Sequence, residues 1–303
     1  MPQRPPPPSD PSPDSPPDPP SPRLPTLAEM IEHTRAEVER AKAATSMTEM
    51  EALVAQAEPP RNFFIAATGH RDAVHFSVIP EIARRTPRLG DLRPEFAADG
   101  FTPETIAAAF ERHGAAAISC CTNERYHGGH LSHIERIKSA VSLPVLRKDI
   151  IIDPWQLWES RAAGADAVVL IAEALNEAEI VDMLILSQQL QMTSLLQVRE
   201  LDQLLRVSPY IGFPHEGYCL LGISNVDPAT GEADLSHTLR LADMVERRSI
   251  LVSDGGVSSR EDLLRLRSVG VRIAIEREGL LSQEDPGPAL AKLVRSPFSR
   301  PRD

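Results

Sequence analysis

The run PVLRKDIIID, Pro144 to Asp153, sets Arg147, Lys148 and Asp149 into an otherwise apolar stretch. A charge in a buried strand costs several kcal/mol unless it is paired or put to use. Lys148 ends the run that reads as a strand, PVLRK. A lysine at such an end can serve as a proton donor if desolvation lowers its pKa. The structural alternative is an ion pair with Asp149 or another carboxylate. A second group of reactive side chains lies in CCTNERYHGGHLSH, where His127, His130 and His133 recur every three residues downstream of Cys120 and Cys121. A helix from His130 would put His130 and His133 on one face, within reach of a metal shared with Cys121. Without a second cysteine pair the spacing is a weak signal, and solvated surface histidines are the reading adopted. No metal is expected.

The elements that must position these groups follow from the hydrophobic pattern. After Phe63, short apolar runs alternate with longer amphipathic ones, the signature of repeated βα units. The strand candidates are FSVIPEI, AAAIS, PVLRK, AVVLI, SLLQV, CLLGI, ILVSD and RIAI. Helix candidates between them include TPETIAAAFERHG, DPWQLWESRAAG, EAEIVDMLILSQQL, TLRLADMV and SREDLLRLRSVG. Eight such units predict a single closed (β/α)8 barrel, of class α/β, with a doubly wound sheet as the alternative. In a barrel the chemistry gathers at the carboxyl ends of the strands, which places Lys148 at the mouth. Ahead of the barrel, TLAEMIEHTRAEVERAKAA predicts a leading helix capped by Thr26, with Glu29 completing a capping box.

The chain has 303 residues, 42% of them apolar, enough for a substantial core. Residues 1–25 hold nearly half of the 28 prolines and read as a disordered tail. The barrel with its helical extension is expected over 26–297, with a short C-terminal tail over 298–303. A formal charge of -11 argues against general nucleic-acid or acidic-membrane binding and leaves small anionic metabolites as the expected partner. No apolar run approaches spanning length, and three cysteines make no disulfide framework, so the expected location is the cytoplasm. Composition names no partner for the tail.

Taken together, TLAEMIEHTRAEVERAK, GAAAISCCTNERYHGG, PVLRKDIIIDPWQLWESRAAGADAVVLI and EDPGPAL resemble the indole-3-glycerol-phosphate synthase family of tryptophan biosynthesis, from Thr26 to near Val294. The resemblance implies a (β/α)8 barrel with an N-terminal helical extension. It also implies a carboxy-lyase that closes the indole ring of a phosphorylated anilino-ribulose without a cofactor. Residue by residue, it makes Lys148 the general acid and Glu81 its partner. It makes Thr86, Asp254, Gly255, Gly256 and Arg277 the candidate substrate and phosphate contacts.

The family pattern is broken at several of these positions. Ala83 stands where the family has a lysine, Gln197 where it has a carboxylate, and Ser224 and Val226 where it has an asparagine and an arginine. His127 replaces a pocket-lining aromatic, Asp254 a glutamate and Gly255 a serine. Neither alanine nor an amide exchanges a proton near neutral pH. Arg277, between Glu276 and Glu278, takes the place of a glycine whose open backbone would approach phosphate. It either binds phosphate by its side chain or fills the site and pairs with a glutamate; filling is the reading adopted. These losses imply a synthase-like barrel with weak or altered activity. The alternatives are a non-catalytic descendant that binds a partner and an enzyme repurposed for another anionic metabolite.

Overall fold

A computed structural model describes residues 23–69, 76–97 and 100–294. The expected proline-rich and C-terminal tails lie almost wholly outside the described residues. Eight parallel strands close into a barrel: β1 Ser77–Ile82, β2 Ile118–Cys121, β3 Val145–Lys148, β4 Ala167–Ile171, β5 Thr193–Val198, β6 Cys219–Ser224, β7 Leu251–Asp254 and β8 Ile273–Glu276. β1 pairs with both β2 and β8, so no strand edge is left open. Seven of the strands lie within a residue or two of the expected positions. The exception is β2, expected at AAAIS, which runs on through Cys120 and Cys121 and so pairs Cys121 with Lys148.

Two apolar layers separate cleanly. Ile79, Leu146, Val169, Leu195, Val252 and Ile275 fill the barrel interior. Their strand neighbours, such as Val78, Val145, Val168 and Ala274, pack outward against the helices. This is the period-two alternation of a strand covered on both faces. On β3 it sends Leu146 inward, Arg147 outward and Lys148 inward again one layer higher. Helices stand between the strands as expected, for example Pro154–Ala162, which Asp153 caps with Gln156 completing a capping box and proline at the first turn. TLRLADMV proves shorter than expected: its helix, Ser236–Leu241, starts two residues earlier and gives way to a 3-10 turn at Ala242–Met244.

The N-terminal extension contains α1 Leu27–Ala44, α2 Met47–Gln56 and α3 Phe63–Thr68. Thr26 caps α1 with the expected Glu29 capping box. Lys42 of α1 reaches Asp153 at 2.5 Å, and Arg161 donates to the carbonyls of Ala57 and Glu58 beyond α2. Phe63 and Ala67 of α3 join the interior layer, sealing the barrel floor. The hollows beside Lys148 lie at the opposite end. No helix among the described residues is long and apolar enough to cross a membrane.

Candidate active site

Inward-facing positions at the carboxyl ends of the strands converge on Lys148. Its ammonium hydrogen-bonds both oxygens of Asp254, at 2.7 and 2.8 Å, and lies 2.5 Å from Glu81 Oε2 as a charge pair. Arg277 Nη1 donates to the other Glu81 oxygen at 2.6 Å, and the Cys121 thiol approaches the same oxygen at 3.3 Å. Glu81 is 1% exposed. Two carboxylates and two cations thus form one interlocked cluster in the mouth. Arg277 fills the space beside Glu81 with its side chain.

The charge states follow from burial and neighbours. Burial works to lower the Lys148 pKa, but the Asp254 and Glu81 carboxylates outweigh it and hold the ammonium above its ordinary value. The lowering expected from the sequence is therefore reversed, because the sequence did not show two carboxylates within bonding distance. Burial would raise Glu81, yet Lys148 and Arg277 hold it down to about 2. Asp254 goes the other way: burial, aided by the neighbouring Glu81 charge, raises it despite Lys148. His127 is pushed down to about 4 by burial and by Arg277, so its ring is neutral near pH 7.

Two hollows flank the cluster. One, of about 130 Å³, is lined by Met30 of α1, His127, Ile150, Val169 and Gln197, with Lys148 and Arg277 on its wall. The other, of about 420 Å³, extends from Lys148 to Val226 and the loops after β7 and β8. Gly255 and Gly256 belong to the second, with φ of 87° and 82°, a left-handed backbone that favours glycine. A Cβ on Gly256 would sit 3.2 Å from Leu235 N. Ser259 caps the helix that follows.

Other expected residues are placed as follows. Ser224 is level with Asp254 across β6 and β7, and Val226 bridges to Ala233 at the cavity wall. Ala83 is buried just past β1. Thr86 is not brought to the cluster: its hydroxyl accepts from Leu89 N at 3.0 Å, and it lines an outer hollow with Arg85 and Tyr126. The histidine run does not form the arrangement considered for it. The helix begins at Ser132, leaving His130 outside it against Glu124, while His133 packs on Phe101. Among the described residues no group of three or more His, Cys, Asp or Glu is placed to hold a metal ion. The sequence reading missed Glu276 and the contact of Cys121 with Glu81. A glutamate ending the apolar run RIAIE carries the same kind of signal that singles out Lys148.

A family model described as indole-3-glycerol phosphate synthase matches residues 27–293. The chain belongs to the indole-3-glycerol phosphate synthase family. The indole-3-glycerol phosphate synthase of Acidithiobacillus ferrooxidans is 36% identical over 263 residues, spanning 87% of this chain and 96% of that protein. The Rhodospirillum rubrum protein of the same name is 35% identical over 261 residues, covering 86% and 95%. Among solved structures, the tryptophan synthase alpha subunit of Legionella pneumophila superposes with a TM-score of 0.52 at 13% identity, covering 77% of this chain and 97% of that one. That likeness is one of fold. Membership in the indole-3-glycerol phosphate synthase family accounts for the barrel and its extension.

Proposed function

We propose that the chain is an indole-3-glycerol phosphate synthase-like barrel whose ring-closing activity is weak or altered. The observation that carries this reading is the Lys148–Glu81 contact of 2.5 Å at the mouth of β1 and β3. In ring closure an aromatic carbon attacks the sugar carbonyl, whose oxygen must gain a proton; carbon dioxide and then water leave. Lys148 is the charged donor facing the mouth, and Met30, Val169 and Ile150 offer an apolar wall for an aromatic ring.

The same cluster argues for a slow reaction. An ammonium held above its ordinary pKa by two carboxylates parts with its proton reluctantly. Gln197 and Ala83 provide no partner for the later proton transfers, and Arg277 occupies Glu81. This last contact also supports a second reading, a barrel that binds a small metabolite without turning it over. Incubating the purified chain with the anilino-ribulose phosphate and following indole fluorescence tests the first reading. Turnover well below about 1 per second is expected, and a rate at or above that value would sink the claim of a weakened site.

A further inference from the structure

The loops after β7 and β8 of a barrel commonly hold phosphate through main-chain N–H groups, because such donors point into the mouth and cost nothing to reorganise. Here two of those donors already have a carboxyl partner. Val257 N–H donates to Glu276 Oε2 at 2.8 Å, and Gly279 N–H donates to Glu276 Oε1 at 3.0 Å. Glu276 is 5% exposed and lines the cavity of about 420 Å³ beside both loops. One side chain of the protein therefore joins the two loops in the way a bound anion would.

The cations around it are already paired. Each cation on the cavity wall is engaged: Arg88 with Glu278 at 2.5 Å, Lys148 with Glu81 and Asp254, and Arg277 with Glu81. Among the described residues, neither Glu276 nor the exposed Glu232 on the same wall takes part in an ion pair. A phosphate dianion entering here would meet an excess of carboxylate and would have to displace Glu276 from its two N–H donors. Burial pushes Glu276 up to about 7, so the displaced group is a carboxylate above that pH.

We propose that this cavity takes an uncharged, hydroxylated end of its ligand rather than a phosphate ester, because Glu276 occupies two of the main-chain donors, one in each loop, on which a phosphate would rest. The proposal rests on the reading that a small metabolite enters this mouth, and it names the class of that metabolite: an anilino-sugar or related polyol without a terminal phosphate. It also supplies a reason for weak turnover of the family's phosphorylated substrate. A neutral hydroxyl can donate to Glu276 while the two N–H bonds stay in place.

The test uses the full chain, isotopically labelled, at pH 8.5, with inorganic phosphate as the probe and the Val257 and Gly279 amide resonances as the readout. In the wild type, phosphate to about 10 mM should leave both amides unmoved, whereas Glu276→Ala should gain phosphate affinity by at least about tenfold. Saturable binding to the wild type below about 1 mM with both amides shifting would overturn the proposal. So would a folded Glu276→Ala that binds phosphate no better than the wild type. Should that variant fail to fold, the wild-type titration decides alone. In a second arm, the anilino-deoxyribulose without phosphate should bind at least as tightly as its phosphate ester; an ester tighter by about tenfold or more counts against the proposal. If neither compound binds, the anilino-sugar reading of the ligand fails, while the inorganic phosphate result still decides what the two loops accept. Every readout is binding, so the outcome does not depend on turnover.

Discussion

Arg147 and Lys148 are neighbours on one strand, yet they belong to two charge clusters of different kinds. Arg147 faces outward, where Nε donates to Thr122 at 3.1 Å, Nη1 to Glu159 at 2.7 Å and Ser160 at 3.0 Å, and Nη2 to Asp149 at 3.1 Å. Asp149 in turn accepts from Thr122 and from Ile150 N. Every nitrogen of that guanidinium has a partner. In the mouth, Arg277 Nε is buried with no hydrogen-bond partner, and Glu81 Oε2 touches Lys148 without hydrogen-bond geometry. A fully satisfied buried network holds a fold together, whereas an incompletely satisfied one at a cavity is where a ligand can complete the bonding.

The largest effect should come from breaking the outer cluster. Arg147→Leu strands Asp149 and Glu159, and should cost about 3–5 kcal/mol in urea unfolding while ligand affinity of the folded fraction stays the same. A loss under about 1 kcal/mol would mean that the outer cluster is dispensable and that the two clusters do not differ in kind.

Turnover should respond to the inner cluster instead. Ala83→Lys with Gln197→Glu and Arg277→Gly restores two proton-exchanging groups and frees Glu81, and should raise ring-closing turnover by about 10²-fold or more. Each single change should do little, since serial proton steps are limited by the slowest. A triple variant that folds, binds and stays inert would move the deficit to Ser224 and Val226.

A pH profile separates the two carboxylates of the β7–β8 side and the β1 side. Glu276, raised from 4.5 to about 7, keeps a proton in the folded protein that the unfolded chain releases. Its contribution to stability is therefore full below pH 4.5 and lost as pH rises through 7. Glu81, lowered from 4.5 to about 2, contributes fully above pH 4.5 and loses that contribution as pH falls toward 2. Melting curves should show Glu276→Gln removing the decline between pH 4.5 and 7 and leaving the acid limb unchanged. An unaltered decline would assign it to another group. The smallest effect is expected from Arg277→Gly alone, about 1 kcal/mol or less of stability, because Lys148 still neutralises Glu81.

How much of this was legible in the chain differs between fold and site. Apolar periodicity, helix caps and turn glycines are local signals, and they determined the eight βα units, the leading helix with its Thr26 cap and the position of Lys148 at a strand end. Strand alternation alone implied that Lys148 and Leu146 share a face. Which carboxylate would meet Lys148 was not legible: Glu81 and Asp254 lie on strands β1 and β7, far away in sequence, and only closure of the barrel brings them within 3 Å. For the same reason the direction of the Lys148 pKa shift came out opposite to the sequence expectation, since burial is local to a strand but its compensation is not. Arg277 could be placed at the mouth from its position after β8, but that it meets Glu81 at 2.6 Å and Glu278 only at 3.9 Å is set by the packing of the top layer. Glu276 carries a strand-end signal like that of Lys148, but strand parity turns it outward, and only the fold of two separate loops sets their N–H groups on its carboxylate. Periodicity thus fixed which face each side chain takes, and tertiary closure decided which charges share a site.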